Sequence, residues 1–230
     1  MSRFEIVAHR GASAYEPENT LRAVRKALEL GADAIEVDVR RSKDGRIMVI
    51  HDDRLERTTN GTGYVRDHDL TALRKLDAGQ GERIPLLEEV LTTVAGAVPL
   101  LIEIKEPPTV AAVSEIVKEE GLEERVRIIS FFDDAVRSSA QLLPVADRGL
   151  LVARMEDHAE HLGTRCVRLG ANWMMPRYTI LTEELVRVAR ALGLRVLAWT
   201  IDDPAVAARA ASLGVDGIAT NRPDLLRPPL

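Results

Sequence analysis

Glu36 and Asp38 stand two residues apart in the run Ile35-Glu36-Val37-Asp38-Val39. Strict alternation is the period of a β-strand, so both carboxylates share one face and the aliphatic residues share the other. The run Leu101-Ile102-Glu103-Ile104-Lys105 repeats the device with Glu103 and Lys105. A charged side chain inside a strand is costly to bury unless it is paired or metal-bound. Three carboxylates brought together repel one another without a cation, and hard oxygen ligands of this kind suit Mg²⁺ or Ca²⁺. One such carboxylate would suit a structural ion pair with Arg10 or Lys105. Three of them, with His9, His51, Arg10 and Lys105 also at strand ends, favour a site. Two imidazoles flanking a metal suggest a general acid and a general base for one displacement. Arg10 and Lys105 would then hold an anion with charge on several oxygens, as a phosphate has. The combination predicts phosphoryl transfer, and no GxGxxG, GxSxG or Walker sequence points elsewhere.

The elements that must position these groups follow a rhythm of amphipathic helix, glycine, short apolar strand. It appears at Gly31 before Ile35–Val39 and at Gly121 before Val126–Ser130, and again at Gly193 and Gly214. Glycine ends a helix in the left-handed conformation without steric cost, and such alternation predicts parallel strands with crossover helices. Strand candidates are Glu5–Ala8, Ile35–Val39, Ile47–Ile50, Leu100–Lys105, Val126–Ser130, Gly149–Val152, Cys166–Leu169, Val196–Thr200 and Gly217–Thr220. The third follows the second too closely for a parallel connection. Lys43-Asp44-Gly45 has hairpin chemistry, so Ile47–Ile50 is expected to pair antiparallel with Ile35–Val39. A turn centred on Asp44-Gly45 would set Asp38 opposite His51. Eight parallel strands remain, which predicts an α/β TIM (β/α)8 barrel with an extra antiparallel hairpin strand. Residues 52–85 break the rhythm and are expected to form a small rim insertion with a short helix around Leu70–Leu76, so residues 1–230 make one domain.

Composition bounds the partners. The chain has 230 residues, a net charge of −5 and 46% hydrophobic residues, enough for a large core and too acidic for a nucleic-acid binder. Cys166 is the single cysteine, which excludes an internal disulfide and a thiolate-rich metal site. The longest uncharged stretch, Val90 to Ile102, is too short to span a membrane and contains Pro99, so no stable membrane insertion is expected. An N-terminus without an apolar signal region predicts a cytosolic protein.

Several segments together resemble the glycerophosphodiester phosphodiesterase family. They are His9-Arg10-Gly11, Pro17-Glu18-Asn19-Thr20, Glu36-Val37-Asp38, Asp44-Gly45, His51-Asp52, Glu103-Ile104-Lys105, Trp199-Thr200-Ile201-Asp202 and Gly214-Val215-Asp216-Gly217. They run in the family's order through almost the whole chain. The resemblance implies a barrel hydrolase that converts a small glycerophosphodiester, such as glycerophosphocholine or glycerophosphoethanolamine, into glycerol 3-phosphate and an alcohol with a divalent metal. Carried over, Glu36, Asp38 and Glu103 match the metal ligands and His9 and His51 the acid–base pair. Arg10 and Lys105 match the phosphate contacts. The chain departs from the family's pattern after Leu76-Asp77-Ala78-Gly79, where the rim is short, and at Glu106-Pro107-Pro108.

Rival readings are a lysophospholipase D activity on the same barrel, a Schiff-base enzyme using Lys105, and a phosphate-binding barrel without turnover. Among the remaining residues, Asn19 is expected to cap a helix from Thr20 to Leu30. Glu18 could serve structure or a catalytic group equally, and Trp199 could wall the substrate's glycerol or pack in the core. Met174-Met175-Pro176 and Phe131-Phe132 are expected at the rim, and His68, His158 and His161 at the surface. Cys166 is expected as a buried thiol on a strand, and Asn221-Arg222 as a phosphate contact or a simple cap.

Overall fold

In the computed structural model, residues 4–155 and 158–226 are described. The chain runs β1 (Glu5–His9), α1 (Leu21–Glu29), β2 (Ala34–Arg41), β3 (Ile47–Val49), α2 (Leu70–Leu73), α3 (Leu87–Val94), β4 (Leu100–Ile104) and α4 (Val110–Glu119). It continues through β5 (Val126–Ser130), α5 (Asp133–Leu142), β6 (Asp147–Val152), α6 (Ala159–Arg168), β7 (Trp173–Pro176), α7 (Glu183–Ala191), β8 (Arg195–Ala198), α8 (Pro204–Leu213) and β9 (Gly217–Thr220). The sheet order is β1-β9-β8-β7-β6-β5-β4-β2, and pairing of β1 with β2 closes it into a parallel barrel. β3 lies outside that ring, antiparallel to the end of β2. The expected TIM barrel with one added hairpin strand is the fold observed. No helix among the described residues is long and apolar enough to cross a membrane.

Alternation along the strands divides the core in two. Outward aliphatic residues of β1, β2, β4 and β5 pack against α1, α3 and α4, while a second outer cluster packs the later strands against α6, α7 and α8. Inward residues such as Val7, Leu101, Ile129, Trp173 and Met175 fill the barrel. Gly149 is what lets β6 fit this interior, because a Cβ there would sit 2.3 Å from Met175 Sδ. At the amino end of the barrel Arg127, only 5% exposed, pairs with Glu5 at 3.1 Å and lies 3.8 Å from the centre of the Trp173 ring.

Two expectations about elements are corrected. Cys166–Leu169 is not a strand but the end of α6 and its cap, and the seventh barrel strand is Trp173–Pro176. Leu162, Cys166 and Leu169 are buried at helical spacing, and Gly170 ends the helix with φ +75°. The hairpin register also differs by one residue: Val39 faces Val49, and Ile50 N donates to Asp38 O at 3.0 Å, so Asp38 faces Ile50 and not His51. The loop is the three-residue type, closed by Ser42 N to Arg46 O at 2.9 Å with Gly45 at φ +87°, which puts its centre on Asp44.

Between β3 and α3 the chain forms a rim segment with its own small core. Met48, Ile50, Leu55, Val65, Leu73, Ala78 and Ile84 are buried together there. The segment is thus packed against the hairpin, with α2 capped by Asp69, whose side chain accepts from Ala72 N.

Candidate active site

The parallel register sets the acidic groups side by side at the carboxyl end of the barrel. Asp38 on β2 is the lateral partner of Glu103 on β4, and Glu36 is the partner of His9 on β1. Glu36, Asp38 and Glu103 are 3%, 0% and 7% exposed, and one oxygen of each lies within 4.8 Å of the others. Lys105 Nζ bridges Glu103 Oε1 at 2.6 Å and Asp38 Oδ1 at 3.1 Å. Arg10 Nε lies 3.1 Å from Asp38 Oδ2, and its Nη1 donates to Glu18 at 2.9 Å. Asp38 therefore touches two cations and Glu103 one. Glu36 has only the Arg10 backbone N–H on Oε2, at 2.9 Å, while its Oε1 is buried without a hydrogen-bond partner.

The acidities follow this distribution. Burial raises Glu36 well above the usual carboxylate range, and Asp38 and Glu103 push it further. Burial, with Asp38 beside it, lifts Glu103 to about 7. Burial opposes ionisation of Asp38 as well, but Lys105 and Arg10 outweigh it and hold Asp38 well below its ordinary value. Burial also works against the charge on Lys105, where Asp38 and Glu103 prevail and its pKa rises. A cluster left with one uncompensated carboxylate and an orphaned oxygen fits a hard divalent cation, and Mg²⁺ or Ca²⁺ matches its all-oxygen donor set.

Both histidines line the cleft at this end. His51 leaves the hairpin one residue past Ile50, and its backbone carbonyl accepts from Arg40 Nε at 2.8 Å. Its Nδ1 lies 2.6 Å from Asp52 Oδ1, and Asp52 is clamped by Arg57, which also grips Glu18 through two hydrogen bonds of 2.8 Å. That hydrogen bonding from Arg57 drives Asp52 well below its ordinary pKa. His9 Nδ1 lies 2.8 Å from Asn221 Oδ1. Burial lowers the pKa of both rings, favouring neutral imidazoles.

The backbone that carries Arg10 is unusual: Arg10 and Asn19 have φ of +57° and +58°. Gly11 follows at φ +75°, with Ala23 backbone carbon 2.6 Å from where a Cβ would be, so the turn into the site accepts only glycine. Asn19 is not the helix cap that its type suggests. Thr20 caps α1, its side chain accepting from Ala23 N, while Asn19 is buried and pairs with Asp38, Nδ2 to Oδ2 at 2.8 Å and Asp38 N to Oδ1 at 3.1 Å. Its left-handed backbone turns the amide into the barrel instead of along the helix axis.

Trp199 lines the cleft as an apolar wall, its Nε1 donating to Met175 O at 2.7 Å and its ring meeting Phe131 edge-on at 5.5 Å. Phe131 belongs to the cleft wall, beyond the rim packing expected of it, and with Leu151 also lines a neighbouring groove of about 720 Å³. His158 and His161 are exposed, His68 is half-buried with Nε2 3.1 Å from Thr62 O, and Cys166 is buried with its thiol pushed up to about 12 by burial. Asn221, Asp202 and Arg57 are the polar groups whose place at the site sequence reasoning left undecided or passed over. The polar residues just past β8 and at the end of β9, in Trp199-Thr200-Ile201-Asp202 and Thr220-Asn221, were the available signal.

A closed parallel barrel with this acidic, imidazole-flanked and cation-lined rim defines a phosphoric diester hydrolase. Residues 9–225 match the glycerophosphoryl diester phosphodiesterase family. The chain is 38% identical to a glycerophosphodiester phosphodiesterase of Caldanaerobacter subterraneus subsp. tengcongensis, over 96% of this chain and 95% of the relative. It is 35% identical to one of Bacillus subtilis, over 97% of this chain and 85% of the relative. Among solved structures, it resembles an Oleispira antarctica phosphodiesterase in complex with the product sn-glycerol-3-phosphate, with a TM-score of 0.90, 31% identity and coverage of 96% and 94%. The chain belongs to the glycerophosphoryl diester phosphodiesterase family.

Proposed function

We propose that this protein hydrolyses small glycerophosphodiesters, of which glycerophosphocholine and glycerophosphoethanolamine are examples, to glycerol 3-phosphate and an alcohol, with His9 and His51 as its acid–base pair. The observation that carries the reading is the meeting of Glu36, Asp38 and Glu103 within 4.8 Å in a cleft whose walls carry both histidines. Those three carboxylates would hold a divalent cation, Mg²⁺ or Ca²⁺, which when bound supplies charge stabilisation at the phosphoryl oxygens. Arg10 and Lys105 border the same space and would bind the anionic phosphate, trading part of their contact with Asp38 for it. Each histidine has Nδ1 engaged by an oxygen, which leaves Nε2 to take a proton from, or give one to, the reacting oxygens. Trp199 and Phe131 offer the glycerol an apolar wall and exclude water from one side. The groove that shares Phe131 and Leu151 gives the departing alcohol room. A cytosolic, soluble small-molecule enzyme with no nucleic-acid partner completes the reading.

His51→Ala, with circular dichroism unchanged, is expected to lower kcat on glycerophosphocholine by about 10²–10⁴-fold. Hydrolysis at the parental rate would end the acid–base assignment. Chelation should abolish turnover, and restoring Mg²⁺, Ca²⁺ or Mn²⁺ in turn across a panel of glycerophosphodiesters identifies the metal and the alcohol. A lysolipid in the same panel separates the lysophospholipase D rival.

A further inference from the structure

We propose that Asn221 and Asp202 are positioning residues that fix the tautomer of His9, holding its proton on Nδ1 and leaving Nε2 as a lone pair at the cleft. The tautomer follows from a chain of donors and acceptors. Its catalytic consequence rests on the acid–base reading of His9 given above.

Asp202, in the loop after β8, is the fixed end of the chain. Its Oδ1 accepts from Thr220 Oγ1 at 2.9 Å and from the Asn221 backbone N–H at 2.7 Å. Its Oδ2 accepts from Asn221 Nδ2 at 2.7 Å. A carboxylate only accepts, so the amide must turn its NH₂ toward Asp202 and its carbonyl away. That carbonyl, Asn221 Oδ1, lies 2.8 Å from both His9 Nδ1 and Ser13 Oγ. An amide carbonyl cannot donate, so the hydrogen between Asn221 and His9 belongs to the imidazole. Ser13 Oγ, also 2.8 Å from His9 O, pins the loop on the other side without supplying a competing acceptor to the ring nitrogen. A histidine side chain in water favours the other tautomer, with hydrogen on Nε2, which could donate to substrate but not accept from it. The strand end of β9 thus selects the form of the ring that can take up a proton.

The test reads the tautomer directly. In protein labelled with [¹⁵N]histidine and held near pH 8, where the lowered pKa of His9 leaves its ring neutral, nitrogen–hydrogen couplings show which ring nitrogen carries the proton. The His9 signals are assigned by their loss in His9→Gln. We expect hydrogen on Nδ1 in the parent and a shift toward Nε2 in Asn221→Ala, with kcat down roughly tenfold to a hundredfold and KM little changed. Asn221→Asp alone sets two carboxylates against each other and should also be slow. Combining Asn221→Asp with Asp202→Asn restores the chain in reversed order. The new amide at 202 still accepts from Thr220 and the backbone and now donates to the new carboxylate at 221, which still accepts from His9. That double variant should recover most of the parental kcat and the Nδ1 tautomer. Hydrogen on Nε2 in the parent, or a folded double variant no faster than its single variants, would overturn the proposal. His9→Ala at the parental rate would remove the acid–base reading while leaving the tautomer measured on its own terms.

Discussion

Glu36 carries more of the site's electrostatic demand than any other carboxylate there, because no side-chain cation touches it while Asp38 touches two. Burial shifts Glu36 toward its protonated form, and Glu103, at about 7, keeps its proton below that pH. A cation must displace those protons to bind. Uptake of Mg²⁺ or Ca²⁺ is therefore expected to release protons between about pH 5 and 7, with affinity rising across the same interval. Calorimetry in two buffers of different ionisation enthalpy measures the release, and a binding heat independent of buffer would place the ion elsewhere. Stability of the metal-free protein carries the same signature with a definite sign. Glu103 is raised from the usual 4.5 to about 7, so the folded state binds more protons than the unfolded one in that window. Unfolding free energy should then fall as pH climbs from about 4.5 to 7, and saturating metal should flatten the slope. The acidic and imidazole residues were legible in sequence because a charge inside an apolar alternation has no cheap structural reading. Asn19 and Asn221 were not, since an asparagine beside a helix or strand end is ordinarily a cap; a left-handed backbone aims Asn19 at Asp38, and the hydrogen bond to Asp202 turns Asn221 toward His9.

Among the elements, strand order and closure followed from the helix–glycine–strand rhythm, and the errors fell where short apolar runs are ambiguous. Val167-Arg168-Leu169 suits a strand by type, yet Gly170 with Trp173–Pro176 beyond it repeats the rhythm of the other units and marks α6 as the helix. The hairpin slip has a similar origin: a two-residue and a three-residue loop fit the same Lys43-Asp44-Gly45, and only the hydrogen bond from Ser42 N to Arg46 O decides. Glycine positions allow a sharper test. Gly11 and Gly121 both have positive φ, but a Cβ at Gly121 meets nothing within 4 Å, whereas at Gly11 it would collide with Ala23 backbone. Gly121→Ala should cost only the left-handed strain, about 1–2 kcal/mol. Gly11→Ala adds displacement of α1 from β1 and should cost about 2 kcal/mol more, with a loss of activity, because Arg10 and Glu36 meet through the same turn. Urea unfolding of the two variants compares them, and equal costs would show that α1 yields freely.

Across the whole molecule, the rim segment packs on the hairpin through its apolar core and reaches the catalytic groups through charge. Arg57, in the segment, bonds Asp52 and Glu18 at once, so one guanidinium links the partner of His51 to the partner of Arg10. Sequence could show that residues 52–85 interrupt the barrel but not that a rim arginine reaches across to Glu18, since nothing in spacing marks a pair 39 residues apart. Arg57 is half-exposed, with 46% of its side chain open to solvent, so its ion pairs should add little to stability. Their effect is on position: Asp52 orients His51 only while something orients Asp52. Arg57→Ala should therefore leave the unfolding free energy within about 1 kcal/mol of the parent. It should lower kcat roughly tenfold as His51 loses its fixed partner. Glu18→Ala releases the same guanidinium from the barrel side, so the effects on kcat in Arg57→Ala, Glu18→Ala and their combination should be strongly non-additive. The rim's own core, with Leu73 fully buried, keeps the segment folded in all three variants, so the loss can be read as one of alignment. Additive losses in that cycle, or an Arg57→Ala enzyme with parental kcat, would show that Asp52 needs no support from the rim and that the two halves of the site act independently.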